Sequence, residues 1–361
     1  MESAFIPGRK RAGSEWFLCA CLIFSLLLLF DTETVYAARS GMSYNIKQMV
    51  KGESFQLKIK GIKTKSVEWS SSNKKIVSVK NGRITALKAG KATIRAKCGK
   101  RICNCRVTVT DKVDLIIFSG QSNMMGHGDA KGAPKLTDGA AYEYKSVTDK
   151  KRLNVLKEPF GYKQDSGNLV NGAYCTGSMV TSFCNAYYQK TKTPVVAVAA
   201  SKVGAGSVAF STVIYKDIEK RIRQSVKAVR KMGLKIDHCY LVWMQGENDV
   251  CAGTLTDEYV ERIGGMFRKI VKDTKVEKCM VIKTGSYVYN MGAEELADPK
   301  AVLEAQEKIC RQYKCAVLIS DKAPKLGQEY YQWDMIHLNQ EALNLVGRDA
   351  GAHAGTYAVS H

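Results

Sequence analysis

The spacing of apolar residues changes near residue 111, and this change constrains the fold more than any other feature of the chain. Before it, apolar and polar residues alternate in short runs such as 54–59 and 76–79, separated by turn residues. After it, apolar runs of strand length alternate with amphipathic segments of helix length. The first pattern predicts an all-β sandwich, and the second predicts a largely parallel sheet with helices on both faces. We therefore expect domains at 41–111 and 112–355, joined by a short, stiff connection.

The first 38 residues have the three parts of a secretory signal peptide. Arg9, Lys10 and Arg11 form a basic segment, and the apolar run 16–30 is too short to span a membrane comfortably. Small residues near Ala37 supply a cleavage point. The pattern predicts a secreted or cell-surface protein, and the alternative is an uncleaved N-terminal anchor.

The chain is strongly basic, with a formal net charge of +21. Removal of residues 1–38 would leave about +22. Such a charge suits work near an anionic cell wall or acidic glycans. No motif of interleaved aromatic and basic residues is present, so we expect no specific nucleic-acid partner.

Ten of the 12 cysteines follow the signal segment. Export permits disulfides, and the close pairs Cys98/Cys103, Cys103/Cys105 and Cys310/Cys315 are candidates. The three cysteines within 98–105 have no nearby histidine and no C-x-x-C spacing, so we expect no metal site.

Individual elements can be predicted from the same patterns. Ile218, Ile222, Val226 and Val229 share one helical face, and Trp69 is expected in the core of the β sandwich. The predicted strands of the second region are 115–118, 195–199, 239–243, 280–284 and 316–319, and its predicted helices are 178–189, 215–232, 256–273, 301–314 and 340–350.

Residues that could support catalysis follow three of these strands. Ser122 follows a buried strand, a glycine-rich segment containing Gly204 follows another, and the amides of Gln245 and Asn248 follow a third. Open α/β sheets bind ligands outside the carboxyl ends of their strands. An ordinary glycine turn and helix capping by Asn248 or Asp249 are the alternatives.

A second pair of residues lies near the end of the chain. Asp334 and His337 are three apart, so the carboxylate could bond one ring nitrogen while the other faces a serine. Met124 replaces the last glycine of G-x-S-x-G, so the usual α/β-hydrolase turn is excluded.

These segments resemble the SGNH hydrolase superfamily and, within it, the sialate O-acetylesterase and acetylxylan esterase group, carbohydrate esterase family 6. The resemblance is carried by G-Q-S-N-M at 120–124, W-x-Q-G-E at 243–247 and D-x-x-H at 334–337. It implies a flavodoxin-like α/β three-layer sandwich with a mainly parallel sheet. Residues 67–94 resemble the bacterial Ig-like group 2 family, whose modules act as spacers or adhesive units.

The resemblance also implies roles for individual residues. Ser122 would be the nucleophile, His337 the general base and Asp334 its orienting carboxylate, with no cofactor. The backbone N–H groups of Ser122 and Gly204 would form the oxyanion hole with either Gln245 or Asn248. The residues expected to contact substrate are Gln121, Asn123 and Glu247.

The sequence therefore predicts a secreted serine esterase that removes O-acetyl groups from carbohydrates of the acetylxylan or sialic acid type. Its partners would be the acetylated carbohydrate and, through the Ig-like region, a cell wall or glycan. One alternative is a catalytically silent cell-surface protein that binds carbohydrate or acts as an adhesin. Another is a lipid or thioester hydrolase on the same fold.

Overall fold

The computed structural model describes residues 41–63, 66–170, 172–287 and 296–361. The predicted signal peptide lies outside the described residues. Within the described ranges, none of the helices combines the length and apolar character needed to cross a membrane.

The N-terminal region is a small sandwich of two sheets. Four strands in the order β1-β7-β6-β3 face three in the order β2-β5-β4, and all pairs except β1 with β7 are antiparallel. Trp69 is half-buried and packs against the edge of the apolar core, so the prediction that it occupies the core was wrong. The strands are β1 (Ile46–Val50), β2 (Ser54–Gln56), β3 (Glu68–Ser71), β4 (Val77–Lys80), β5 (Arg83–Ala86), β6 (Gly90–Cys98) and β7 (Arg101–Thr110).

A seven-stranded sheet forms the centre of the second region. Its order is β10-β9-β11-β8-β12-β13-β14, and every pair is parallel except β9 with β10. The five predicted strands are all present, and β9 and β10 are additional. The strands are β8 (Lys112–Gly120), β9 (Ala141–Lys145), β10 (Asp149–Val155), β11 (Val195–Ala199), β12 (Lys235–Met244), β13 (Lys278–Ile282) and β14 (Ala316–Ser320).

Helices cover both faces of this sheet. Ser119 on β8 pairs with Trp243 on β12, so the preceding residue Phe118 points to the opposite face from Trp243. Phe118 packs edge-on against Phe183, whereas Trp243 packs edge-on against Phe267. Aromatic side chains from two helices therefore meet opposite faces of the sheet, which gives the three-layer α/β sandwich that the sequence predicted.

The predicted helices are also present, with two differences. The segment predicted as one helix at 256–273 is interrupted by a π-helical turn at Val260–Gly264, and the last helix extends to Ser360. The face of four apolar residues predicted at 218–229 is buried. The helices are α1 (Ser122–Met125), α2 (Val180–Thr191), α3 (Ser207–Ala209), α4 (Tyr215–Lys231), α5 (Glu247–Cys251), α6 (Thr256–Tyr259), α7 (Gly265–Asp273), α8 (Lys300–Gln312) and α9 (Gln340–Ser360).

A buried polar cluster joins the two regions. Lys47 on β1 forms an ion pair with Asp138, and its Nζ lies 3.9 Å from Glu53 Oε1. The Tyr142 hydroxyl donates to Glu53 Oε2 at 2.6 Å. Burial raises the pKa of Glu53, although the Tyr142 hydrogen bond and the charge of Lys47 oppose the shift. Together with the single residue Asp111 between β7 and β8, this contact holds the sandwich against the sheet.

We expect Lys47→Met to lower the free energy of unfolding by about 2 kcal/mol, because it leaves two carboxylates without their buried cation. Lys97→Met is the matched control, since Lys97 pairs with Glu68 on the exposed surface and should change stability by less than about 1 kcal/mol. Chemical denaturation of both variants measures the difference. Equal effects would show that the Lys47 cluster does not contribute to stability.

A buried carboxyl on β9 makes stability depend on pH. Burial raises the pKa of Glu143 to about 7 from 4.5, although Lys145 and the Gly161 N–H oppose the shift. The raised pKa means that the ionised carboxylate destabilises the fold. The cost is absent below pH 4.5, grows between pH 4.5 and 7, and is complete above pH 7.

We expect Glu143→Gln to remove this cost, stabilising the protein at pH 8 relative to pH 5 by about 2–3 kcal/mol. The exposed Glu304→Gln on α8 is the control and should show no comparable change. Denaturation at the two pH values gives the result. If Glu143→Gln changes the free energy of unfolding equally at pH 5 and pH 8, the raised pKa of Glu143 is contradicted.

None of the ten cysteines in the described ranges forms a disulfide, so the predicted pairs are not bonded in this structure. Cys103 and Cys105 alternate with outward-pointing residues on β7 and both point into the sandwich core. Burial raises the pKa of Cys105 to about 11 and that of Cys310 to about 12, so both thiols stay protonated at neutral pH.

Candidate active site

A glycine at the end of β8 positions the predicted nucleophile. Gly120 has a φ of +144°, and a Cβ added there would lie 1.9 Å from the Met244 carbonyl oxygen at the end of β12. Only glycine permits this approach. The Gln121 N–H donates to the same carbonyl at 3.1 Å, and the chain then turns into α1 with Ser122 as its first residue. Ser122 therefore lies at the carboxyl edge of the central strands.

The three residues of the predicted triad are in hydrogen-bond contact. Ser122 Oγ is 2.8 Å from His337 Nε2, and His337 Nδ1 is 2.6 Å from Asp334 Oδ2. With the ring neutral, this arrangement has the Ser122 hydroxyl donating to Nε2 and the Nδ1–H donating to Asp334. The serine proton thus has an acceptor in place, and the imidazolium that would form has a carboxylate partner.

The carboxylate of Asp334 also fixes its own loop. Its Oδ1 accepts the backbone N–H groups of Ile336 at 3.0 Å and His337 at 2.9 Å. Burial opposes ionisation, but these bonds and that from the His337 side chain outweigh it and lower the pKa of Asp334 below its usual value. Asp334 is therefore an ionised carboxylate at neutral pH.

Asn123 ties the nucleophile to the loop that carries His337. Its Nδ2 donates to the Ile336 carbonyl at 3.1 Å and to Glu247 at 2.5 Å, and its Oδ1 accepts the Leu338 N–H at 2.9 Å. The side chain is buried. Asn123 and Glu247 are buried and brace the site from beneath, whereas the sequence analysis had assigned both to substrate contact.

Gln121 has a similar position beneath the site. Its Oε1 accepts the N–H of Gly246 at 3.2 Å, and its Nε2 donates to Asn248 Oδ1 at 3.0 Å. It is buried. The prediction that Gln121 contacts substrate does not fit these bonds, which hold the start of α5 against the nucleophile turn.

The glycine loop after β11 leaves a backbone donor open. Gly204 is exposed and has a φ of +65°, and the space where a Cβ would lie is empty within 4 Å. Its carbonyl accepts from Asn248 Nδ2 at 3.2 Å. Within the described part of the chain, no acceptor is bonded to the Gly204 N–H. The loop therefore offers a donor at the same sheet edge as Ser122.

The hydrogen bonds distinguish between the two candidate oxyanion amides. Gln245 is fully buried, and its Nε2 contacts three acceptors: Asp249 Oδ2 at 2.6 Å, Gln121 Oε1 at 3.2 Å and the Ala205 carbonyl at 3.3 Å. The Gln245 amide has only two N–H groups, and these already face three acceptors, so it cannot also donate to a substrate oxygen. The Nδ2 of Asn248 has one protein acceptor and lies in a half-buried side chain. Asn248 can donate to a substrate oxygen, whereas Gln245 cannot.

Asp249 fixes the glycine loop from below. Its carboxylate accepts the N–H of Ser207 at 2.8 Å and the Ser207 hydroxyl, and Thr254 Oγ1 donates to it at 3.1 Å. These bonds give Asp249 a structural role. Asp249 therefore holds the loop that carries Gly204 at Ser207, after its turn.

We expect Asn248→Ala to lower kcat by about 10²-fold, the loss typical of removing one oxyanion donor. KM should change little, because the donor acts on charge that develops in the transition state. Steady-state kinetics on a small acetyl ester, with the melting temperature as a fold control, measures this. A kcat within twofold of the unsubstituted enzyme would exclude Asn248 from the oxyanion hole.

A second histidine, His127, for which the sequence suggested no role, stacks on His337. The ring centroids of His127 and His337 are 4.3 Å apart, with 30° between the ring planes. Tyr174 also stacks on His127, at a centroid distance of 5.8 Å. Burial and the nearby His337 lower the pKa of His127 to about 4, against the opposing charge of Asp334. His127 is therefore a neutral ring that supports the imidazole of His337.

Family models match both regions of the chain. Residues 112–354 match the model of the family described as carbohydrate esterase, sialic acid-specific acetylesterase, and residues 42–101 match the bacterial Ig-like domain (group 2). The chain belongs to this carbohydrate esterase family, and it is a carbohydrate O-acetylesterase. No curated protein matches it.

Several solved structures are similar to the chain. A protein from Arabidopsis thaliana is 20% identical with a TM-score of 0.48, over 69% of this chain and 98% of that one. A carbohydrate acetylesterase from Xanthomonas citri is 15% identical with a TM-score of 0.44, over 86% and 73%. A variant of an acetyl-xylooligosaccharide esterase from Geobacillus is 14% identical with a TM-score of 0.38, over 66% and 91%.

Proposed function

We propose that this esterase acts through a Ser-His-Asp triad made of Ser122, His337 and Asp334. The observation that carries the proposal is the continuous hydrogen-bonded row from Ser122 Oγ through both ring nitrogens of His337 to Asp334. Nucleophile, base and orienting carboxylate within bonding distance are the arrangement that activates a serine hydroxyl at neutral pH.

In the first half of the reaction, Ser122 Oγ attacks the acetyl carbonyl carbon while its proton passes to His337 Nε2. The carbonyl oxygen becomes an oxyanion, which the backbone N–H groups of Ser122 and Gly204 and the amide of Asn248 stabilise. His337 then gives the proton to the sugar oxygen, and the C–O bond breaks. The products are a free sugar hydroxyl and an acetyl ester on Ser122.

In the second half, water replaces the sugar. His337 takes a proton from the water as it attacks the acetyl-enzyme, and the tetrahedral species forms at the same oxyanion donors. Collapse returns the proton to Ser122 and releases acetate. Each proton moves through His337 Nε2, so the row of three residues serves both halves without a cofactor.

The setting of this activity is the second part of the proposal. The basic, apolar and small-residue segments of 1–38 support export, so we propose a secreted or cell-surface enzyme acting on O-acetylated glycans of the acetylxylan or sialic acid type. The Ig-like region would contact a cell wall or glycan. The strong positive charge suits such a surface.

Acetate release from acetylated xylan and from O-acetyl sialic acid tests the function, with Ser122→Ala as the matched blank. We expect release from at least one substrate with the unsubstituted enzyme and none above background with the variant. If the protein binds acetylated glycans but releases acetate from none of them, the result would instead support a catalytically silent binding protein. Faster turnover of long-chain acyl esters or thioesters than of acetyl esters would support the lipid or thioester hydrolase.

A further inference from the structure

Trp333 directly precedes Asp334 and is almost entirely exposed to solvent. Its side chain is 91% accessible, whereas Trp243 is buried and Trp69 is half-buried. Single exposed apolar residues are common on protein surfaces and need no explanation by themselves. The position of Trp333, one residue from the carboxylate that orients His337, makes this one informative.

The backbone on both sides of Trp333 is fixed. The Gln332 N–H donates to the His337 carbonyl at 2.7 Å, and the Met335 N–H donates to the Gln332 carbonyl at 3.0 Å. The Gln332 side chain donates to the His127 carbonyl at 2.8 Å. Trp333 therefore stands at the tip of a turn that closes on itself. Because this backbone is already ordered, only the two side-chain torsions of Trp333 lose freedom when the indole binds a partner.

The chemistry of the reaction places the sugar on this side of the site. The acetyl oxygen must face the donors at Gly204 and Asn248, and the sugar oxygen must lie near His337 Nε2 to receive its proton. The departing sugar consequently lies over the loop that carries His337. Trp333 belongs to that loop, whereas Gly204 and Asn248 belong to the opposite, acyl-binding side.

We propose that Trp333 is a stacking platform for a sugar ring adjacent to the acetylated residue, so that the enzyme prefers acetylated oligosaccharides over free acetylated monosaccharides. This inference rests on the proposed esterase function. Pyranose rings present apolar C–H faces, and an indole offers a broad apolar surface that removes them from water. Tyr174, half-exposed and stacked on His127, lies at another part of the same rim.

Kinetics on two substrates separate this role from general catalysis. We expect Trp333→Ala to lower kcat/KM for an acetylated xylo-oligosaccharide by about 10-fold, mainly through KM. Turnover of 4-nitrophenyl acetate, which has no sugar ring, should stay within twofold. Trp333→Phe should recover most of the loss, because it keeps an aromatic face.

Val359→Ala is the matched control for removing an exposed apolar side chain. Val359 is 67% exposed near the end of α9, about 28 Å along the helix axis from its start beside the site. It should leave both substrates unaffected. Equal losses on both substrates in Trp333→Ala, or no loss on the oligosaccharide, would overturn the proposal.

Binding without turnover keeps this inference distinct from the esterase function. In Ser122→Ala, addition of acetylated or unacetylated xylo-oligosaccharides should shift the tryptophan fluorescence. The bound sugar should also reduce quenching of this fluorescence by acrylamide. The Ser122→Ala/Trp333→Phe double variant should lose that response. If the fluorescence responds to sugar but the unsubstituted enzyme releases no acetate, Trp333 binds sugar and the proposed esterase function is wrong.

The absence of any response across xylo- and chito-oligosaccharides would reject the platform even if acetate is released. A second copy of the chain could also contact Trp333, and native mass spectrometry tests for such an oligomer. If Trp333→Ala dissociates an oligomer and lowers activity on both substrates, Trp333 is a subunit contact and the proposal is wrong.

Discussion

Replacing Ser122 by alanine is expected to lower kcat/KM on acetyl esters by about 10⁴-fold or more. The substitution removes the atom that attacks the carbonyl, and losses of this order follow removal of a triad serine elsewhere. The residual rate would come from the oxyanion donors and from binding alone. Initial rates of acetate release from 4-nitrophenyl acetate and from an acetylated glycan measure the effect.

Ser201→Ala is the matched control for this loss. Ser201 is a buried serine after β11, and its hydroxyl donates to the Phe118 carbonyl at 3.4 Å rather than to a histidine. It should keep activity within a few-fold. The Ser122→Ala protein should retain the melting temperature of the unsubstituted enzyme. Substantial ester turnover by a folded Ser122→Ala protein would rule out Ser122 as the nucleophile.

The second large effect is expected for Asp334→Asn, about 10⁴-fold in kcat. The Asn side chain can still accept the two backbone N–H groups of the loop, so the loop itself should persist. Its amide, however, would donate to His337 Nδ1 and thereby place the ring proton on Nε2, facing Ser122. The imidazole could no longer accept the serine proton.

The pH dependence of this variant supplies a further check. The hydrogen bonds from His337 hold the pKa of Asp334 below its usual value of 3.8. The ionised carboxylate therefore contributes its full stabilisation of the fold above pH 3.8, and this stabilisation is lost only as the pH falls through the lowered pKa. The loss caused by Asp334→Asn should therefore be full throughout pH 5–8. A loss below tenfold would show that Asp334 does not control the state of His337.

Most of the second region could be predicted because its strands are buried on both faces. Runs such as 115–118 and 195–199 are continuously apolar, and this is the pattern of a central parallel strand. The edge strand β10 and its neighbour β9 were missed for the opposite reason. β9 contains the buried Glu143, and β10 is largely polar, so neither has an apolar run or a clean alternation.

The site residues could be located from the sequence, but not all of their roles. Polar residues at three strand ends were expected to meet, and they do. Sequence cannot show whether a polar side chain faces a substrate or the protein interior, so Gln121, Asn123 and Glu247 were assigned to the substrate. Their bonds to neighbouring loops show that they hold the nucleophile turn, α5 and the His337 loop together.

Contacts between distant segments account for the features that the sequence did not suggest. His127 and His337 are 210 residues apart, and only the folded chain brings their rings to 4.3 Å. The commitment of Gln245 to three acceptors likewise depends on Asp249 and Ala205 lying beside it. No spacing rule encodes these contacts. His127, three residues after the G-Q-S-N-M segment, was the one available signal.

The most direct test of the proposed mechanism is rapid-quench mass spectrometry of the enzyme during turnover of 4-nitrophenyl acetate. We expect a peptide carrying Ser122 to gain the mass of one acetyl group within the first turnover and to lose it as the ester is consumed. Asn248→Ala should form it more slowly, and Ser122→Ala should not form it. Continued turnover with no acetylated Ser122 peptide at any quench time would contradict the acetyl-enzyme and the role of Ser122 with it.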